Sequence, residues 1–149
     1  MWNDLKRYRQ LSGAERRLLW EACAALAMAR IAMACLPFRS VAAWLGTRGA
    51  ESPSVVAPEI TGTAASVGWA VTALAQRVPW DGRCLAQALA ATAMLRRRGL
   101  EGTVSFGVCE GESSRFAAHA WLRVGAQIVT GGPGIERYKI FTTFARDRS

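Results

Sequence analysis

The spacing of the apolar residues changes once along the chain, at Gly99, and this change constrains the fold more than any other feature. Before Gly99 the apolar residues recur every three or four residues, which is typical of helices. After it they alternate at every second residue in 103–108 and again in 117–124, which is typical of strands. Helices followed by an antiparallel meander predict the α+β class.

The first long helix has clear start and stop signals. Ser12 stands three residues before Glu15, which is the capping-box spacing, and Pro37 ends the run of helix formers that follows. Its apolar residues share one side of a helical wheel, whereas Glu21 and Arg30 interrupt the stretch and disfavour a membrane span. The sequence favours a buried amphipathic helix, and a helix that faces a partner or a membrane surface is the alternative.

Similar signals place the other elements. The remaining predicted helices cover 38–45, 59–77 and 84–98, and the predicted strands cover 103–108, 117–124, 127–130 and 138–144. Residues 47–58 have the glycine, proline and small-residue composition of a linker. We therefore expect an N-terminal helical region at 1–46, a linker at 47–58 and a core domain at 59–149.

Basic residues outnumber acidic ones, with 19 Lys and Arg against 11 Asp and Glu and a formal net charge of +8. The basic clusters are short and lie near predicted helix ends or the termini. Such clusters are typical of solvated faces, and a docking patch for an acidic peptide or protein is the alternative. Because no basic stripe with interleaved aromatics is present, we expect no nucleic-acid partner.

Four cysteines show no metal-ligand spacing, and the chain has one histidine. Three of them, Cys23, Cys35 and Cys109, fall on an apolar helix or late in a strand, and we expect them to be inert thiols. No apolar segment with a secretory cleavage site follows the N-terminus. These features predict a cytoplasmic protein with free thiols, no metal and no cofactor.

Cys84 and His119 are the candidate catalytic pair. Cys84 stands where a loop becomes a helix, and His119 lies 119 − 84 = 35 residues later, in a strand. A helix N-terminus favours a thiolate, an imidazole can act as general base and then acid, and helix N–H groups can hold an oxyanion. Spacing alone favours the structural alternative, a buried cysteine with a core histidine.

The sequence around this pair resembles a known family. The segments CLAQALA, MLRRRGL, VSFGV and FAAHAWLRV are similar to the B2 leader peptidases of bacterial lasso-peptide biosynthesis, which are transglutaminase-like, papain-related cysteine proteases. LSGAERRLLWEA and CLPFR are similar to the opening helix of that family, so the resemblance covers nearly the whole chain. It implies a papain/transglutaminase-like core, with Cys84 as the nucleophile at a helix N-terminus packed on a small antiparallel sheet and His119 as the general base and acid.

The resemblance also implies an activity and partners. Such peptidases remove the leader from a ribosomal precursor and free the core's α-amino group, which an asparagine-synthetase-like macrocyclase then joins to a side-chain carboxyl. The first 45 residues read as helices, so the chain resembles the split form, which needs a separate leader-recognition protein of the B1 type. The implied partners are this protein, the precursor leader and the macrocyclase, and we expect no membrane contact. A non-catalytic scaffold that docks the leader–recognition complex onto the cyclase is the alternative.

One position departs from the family pattern. The usual third catalytic residue is an acid about twelve residues after the histidine, and here that position is Gly131. Thr130, a backbone carbonyl, or a carboxylate from Asp81 or Glu136 could orient His119 instead. A Cys–His dyad is a further alternative, because the orienting group mainly fixes the tautomer and geometry of the imidazole. The sequence assigns no third residue.

Overall fold

The computed structural model describes residues 2–78, 83–111 and 116–147. Within these ranges the helices are α1 (Trp2–Gln10), α2 (Gly13–Cys35), α3 (Phe38–Leu45), α4 (Pro58–Ala75) and α5 (Cys84–Arg97). The strands are β1 (Thr47–Arg48), β2 (Thr103–Glu110), β3 (Phe116–Val124), β4 (Gln127–Thr130) and β5 (Lys139–Ala145). The predicted α+β class is confirmed.

The strands form one antiparallel sheet in the order β1-β5-β2-β3-β4. The predicted meander is correct for β2, β3 and β4 but wrong for β5, which returns to the other edge of β2 and sets Phe144 opposite Val104. This position buries Phe144 in the core beside Val104. Alternation in the sequence identifies a strand, but its neighbour in the sheet depends on burial of this kind.

Local hydrogen bonds explain why the predicted helix bounds agree with the structure to within two residues. At the start of α2, Ser12 Oγ accepts from the Glu15 amide at 3.2 Å, and the Glu15 carboxylate accepts from the Ser12 amide at 2.7 Å. After α5, Gly99 has φ +70° and the Leu100 amide donates to the Leu95 carbonyl at 3.0 Å. These are a capping box and a Schellman motif.

A single hydrophobic core lies between the helices and one face of the sheet. Helices α2, α4 and α5 pack on one another, and α5 also lies against β3 and β4. The core includes residues from each of these elements and from α3, β2 and β5: Ala22, Leu26, Val41, Val67, Val71, Leu89, Met94, Val104, Leu122, Val129 and Phe144. The contacts between α5 and β3 position the predicted catalytic pair.

The segment 47–58 is attached to the sheet along its length. Its first two residues form β1, which pairs with the end of β5. The Ser52 amide donates to the Thr103 hydroxyl at 2.8 Å, and Arg123 reaches Glu51 at 2.8 Å. The core therefore joins residues on both sides of the segment, and the division of the chain into domains stays a prediction.

Helix α2 is buried on one side only. The inner face packs as predicted, with Ala22, Leu26 and Ala29 buried. Among the described residues α2 is the one helix long and apolar enough, by length and composition, to cross a membrane, yet only 17% of its apolar window is buried inside the protein. The opposite face therefore exposes apolar side chains, which a fully buried helix would not do.

An ion pair joins α2 to the end of α5. Arg98 donates to the two carboxylate oxygens of Glu21 at 2.9 and 2.7 Å, and Arg97 lies 3.4 Å from the same carboxylate. The hydrogen bonds from Arg98, assisted by the charges of both arginines, lower the pKa of Glu21 below its ordinary value against the opposing effect of burial. The folded state therefore favours the ionised carboxylate.

We expect Glu21→Gln to reduce stability in a pH-dependent way. Because the folded pKa lies below the unfolded one, the contribution of Glu21 is complete above about pH 4.3, the ordinary glutamate value, and is lost as the pH falls through the folded pKa. At pH 7 the free energy of unfolding should fall by about 1 kcal/mol, an amount already reduced for screening at the partly exposed guanidinium. Urea unfolding at pH 7 and pH 3 measures this, with the exposed Glu110→Gln as control. Equal losses at both pH values would contradict the ionic origin.

Candidate active site

Cys84 is the first residue of α5, and its half-buried side chain packs against the core. The residue before it, Arg83, gives the helix no side-chain cap, in contrast to Ser12 at the start of α2. The Gln87 amide donates to the carbonyl of the N-cap residue Arg83 at 3.0 Å, which is the first hydrogen bond of the helix. The amides of the first turn and the helix dipole therefore place partial positive charge beside the Cys84 sulfur.

Helix and strand geometry places Cys84 at the same end of the sheet as His119. Helix α5 has 14 residues and so is about 21 Å long. A short turn joins it to β2, and a strand that runs back along a helix of this length covers it in about six residues. The start of α5 is thus level with about residue 109, while His119 on β3 is paired with Gly107.

The imidazole of His119 is held by a backbone carbonyl. Its Nε2 lies 2.6 Å from the carbonyl oxygen of Gly131. A carbonyl oxygen only accepts hydrogen bonds, so Nε2 must carry the proton and donate it. In the neutral ring Nδ1 then has a free lone pair and can act as a base. Of the orienting groups that the sequence left open, the structure places the Gly131 carbonyl on the imidazole.

The backbone at Gly131 explains why this position carries no acid. Its φ of +74° is in the left-handed region that favours glycine. A Cβ built there would lie 2.6 Å from the Ala120 carbonyl oxygen and 3.0 Å from the Trp121 Cβ. An aspartate at this position would have to displace β3, so the carbonyl takes the orienting position that a carboxylate has in the family pattern.

Two aromatic rings lie against the imidazole. The Trp121 ring centroid is 5.9 Å from that of His119, with 28° between the planes, and the Tyr138 centroid is 5.0 Å away at 33°. Gly107 makes room for both, because a Cβ there would lie 2.8 Å from the Trp121 ring and 2.9 Å from the Tyr138 Cβ. Sequence reasoning missed Tyr138, because a tyrosine at the start of the predicted strand 138–144 carries no catalytic signal.

The other proposed orienting residues do not hydrogen-bond to His119 in the part of the chain that the structure describes. Glu136 lies in a short 3-10 helix (Ile135–Arg137). Thr130 is buried in β4, and its hydroxyl has no hydrogen-bond partner among the described residues. Asp81 lies outside the described residues. The Gly131 carbonyl is therefore the orienting group that the observed geometry supports.

We expect Thr130→Val to keep or increase stability. Valine matches threonine in shape, and the substitution removes a buried hydroxyl that forms no hydrogen bond with the described residues. The free energy of unfolding should therefore stay the same or rise by about 1 kcal/mol. Thermal unfolding of the variant measures this, with Thr103→Val as the control, because the Thr103 hydroxyl is hydrogen-bonded to Ser52 and its loss should lower the Tm. A lower Tm for Thr130→Val would show that its hydroxyl has a partner.

Cys84 and His119 lie on opposite sides of the sheet. On β3 the side chains of Ala120, Leu122 and Val124 join the core with the helices, whereas His119 and Trp121 alternate with them. The described residues show no hydrogen bond between the Cys84 sulfur and the imidazole. Helix α5 contacts β3, and the roles of Cys84 and His119 as nucleophile and base stay a prediction.

The remaining cysteines are free thiols, with Cys35 exposed and Cys23 and Cys109 half-buried. The described residues contain no group of three His, Cys, Asp or Glu side chains that could hold a metal ion.

Comparison with known proteins gives one family. Neither the curated proteins nor the solved structures give a match. The family model described as the Transglutaminase-like superfamily matches residues 32–143. This range is 143 − 32 + 1 = 112 of the 149 residues, and it contains the helix that begins with Cys84, the strand that carries His119 and the turn at Gly131. The chain therefore belongs to the transglutaminase-like superfamily.

Proposed function

We propose that this protein is a cysteine peptidase that removes the leader from a ribosomal lasso-peptide precursor. The observation that carries the proposal is the state of His119, which keeps its proton on Nε2 through the Gly131 carbonyl and leaves Nδ1 free as a base. It lies at the end of the sheet where α5 presents Cys84 at an N-terminus without a side-chain cap from Arg83. The proposed substrate class comes from the resemblance of residues 84–122 to the B2 leader peptidases.

The proposed reaction has two halves. Nδ1 of His119 takes the thiol proton, and the Cys84 sulfur attacks the scissile carbonyl carbon at the leader–core junction. Amides of the first turn of α5 hold the resulting oxyanion. The imidazolium gives its proton to the leaving amine, the C–N bond breaks, and the core departs with a free α-amino group. Water, deprotonated by His119, then attacks the thioester, and the leader leaves with a carboxylate while the thiol is restored.

Such a reaction requires the sulfur and imidazole to approach each other. Catalytic hydrogen bonds are often long in unliganded enzymes and shorten in the substrate complex. Because the two side chains lie on opposite sides of the sheet, we propose that the start of β3 changes its position when the precursor is bound and brings the imidazole to the sulfur.

The proposed partners follow from the family resemblance. They are the precursor leader, a separate leader-recognition protein of the B1 type and an asparagine-synthetase-like macrocyclase, all in the bacterial cytoplasm. The net charge of +8 favours contact with acidic segments of these partners.

A cleavage assay tests the proposal. The chain is incubated with the precursor and the recognition protein, and the products are identified by mass spectrometry. We expect two fragments, a leader with a new carboxylate and a core with a free amine. Failure to cleave with all three components present, under conditions where the recognition protein binds the leader, would contradict the proposal.

A non-catalytic scaffold is the second candidate, and the placement of His119 on the face of the sheet opposite the helices favours it. The two candidates differ in the reactivity of Cys84. A peptidase predicts that iodoacetamide labels Cys84 faster than Cys109, which is also half-buried and free. A scaffold predicts comparable rates for the two thiols and no acyl-enzyme.

A further inference from the structure

The solvent-facing side of α2 carries a continuous row of apolar residues. We call it the outer stripe; it consists of Trp20, Ala24, Met28, Ile31 and Cys35, which are separated by four, four, three and four positions and so share one helix face. Its large members are well exposed, with Trp20 at 69%, Met28 at 70% and Ile31 at 62%. Near its end, Leu36 and Phe38 are also half exposed. Isolated exposed apolar residues are ordinary, but a contiguous patch indicates a binding surface.

Unpaired positive charge accompanies the outer stripe. The cationic side chains of α1, α2 and α3 that form no ion pair among the described residues are Lys6, Arg7, Arg9, Arg16, Arg17, Arg30 and Arg39. The acids of the same three helices have partners within the chain: Asp4 lies 3.6 Å from Arg77, Glu15 caps α2 and Glu21 binds Arg98. Asp4 and Glu21 are thus paired with cations, and Glu15 is hydrogen-bonded to a backbone amide. The helices around the stripe therefore carry an excess of positive charge.

We infer that the outer stripe lies on the surface of an anionic membrane, with α2 in the plane of the bilayer. Apolar side chains would enter the boundary between headgroups and acyl chains, while the flanking cations meet anionic headgroups. A membrane-spanning position does not fit, because the inner face of α2 is part of the core with α4 and α5. The sequence led us to expect no membrane contact, and the exposure of the stripe changes that expectation.

Vesicle flotation tests this inference without using the peptidase activity. The whole chain is mixed with vesicles of phosphatidylcholine alone or with phosphatidylglycerol added, at low and high salt. We expect flotation with the anionic vesicles, weakened by salt, and little with the neutral ones. The double variant Met28→Gln/Ile31→Gln keeps the net charge but removes two apolar side chains. Its affinity for the anionic vesicles should fall by about tenfold or more.

A matched control uses two exposed apolar residues elsewhere, Val55→Gln/Ile140→Gln, with exposures of 85% and 57%. This variant should bind like the unaltered chain, and circular dichroism verifies that both variants fold. A second readout is fluorescence quenching by lipids brominated on the acyl chains, which should be reduced by Trp20→Phe.

Three outcomes would overturn the inference: no binding to anionic vesicles, equal binding to neutral ones, or equal binding by the two double variants. Concentration-dependent dimerisation that Met28→Gln/Ile31→Gln abolishes, without vesicle binding, would instead assign the stripe to a second copy of the chain. Cleavage measured without vesicles should be unaffected by the stripe variants, so the failure of this inference and of the proposed function can be distinguished.

Discussion

Cys84→Ala should abolish cleavage of the precursor and leave the fold intact. The proposed reaction passes through a bond between the Cys84 sulfur and the acyl carbon, and alanine offers no nucleophile, so kcat/KM should fall by about 10³-fold or more. The side chain is half-buried at a helix start, and losing its sulfur should cost about 1 kcal/mol or less of stability. Mass spectrometry of the products measures the rate, and thermal unfolding measures the stability.

Cys109→Ala is the matched control for this experiment. Cys109 is also a half-buried free thiol at the same end of the sheet, on β2. Cys109 pairs with Ala117 and Gly107 with His119, so Cys109 lies on the same face of the sheet as His119, one pair further along. The proposed reaction gives the Cys109 thiol no role, so its removal should leave cleavage unchanged. Undiminished cleavage by Cys84→Ala would rule out the covalent mechanism, while equal losses in the two variants would indicate a general effect on folding or docking.

Local signals explain why most of the fold could be predicted. The spacing of Ser12 and Glu15 and the glycine at 99 act through hydrogen bonds within a few residues, so the sequence contains all that determines those helix ends. The place of β5 depends on contacts between residues about forty positions apart, such as Phe144 and Val104. Periodicity contains no information about such a pairing.

The candidate site, like the fold, could be predicted only in part from the sequence. Cys84 and His119 stand out because only a few residue types can act as a nucleophile or a base. The group that holds His119 is a main-chain carbonyl, which every residue carries, so no residue type marks it. A glycine in the acid position therefore looks like a lost function in the sequence, whereas the structure shows a hydrogen bond from the imidazole at that point.

Tertiary packing also determines which face of α2 is exposed. Its inner face could be identified by the spacing of alanine and leucine, but whether Met28 and Ile31 were covered depended on where α4 and α5 packed. The sequence favoured a buried helix because glutamate and arginine interrupt it. In the structure Glu21 forms an ion pair with Arg98 at the end of α5 and is not part of the outer stripe, which therefore stays apolar.

Gly131→Ala should lower activity through the position of His119 and lower stability as well. The left-handed backbone at this residue costs a non-glycine residue about 1–2 kcal/mol, and the new Cβ would meet the Ala120 carbonyl oxygen at 2.6 Å. The Gly131 carbonyl must then move away from Nε2. A displacement of about 1 Å at a catalytic group can cost about 10²-fold, so kcat should fall by about ten- to a hundredfold with KM nearly unchanged.

Gly134→Ala separates the orienting role of Gly131 from simple backbone strain. Gly134 has a similar φ of +78°, but a Cβ there would meet only the Arg137 side chain, at 3.6 Å. It should lose only the cost of the left-handed backbone, about 1–2 kcal/mol, and keep its activity. Because His119 is the only histidine, nitrogen NMR reports one imidazole, which should be Nε2-protonated in the parent and in Gly134→Ala and a mixture of tautomers in Gly131→Ala. If Gly131→Ala kept both the tautomer and kcat, or if Gly131→Asp increased kcat, the carbonyl would not be the group that positions His119.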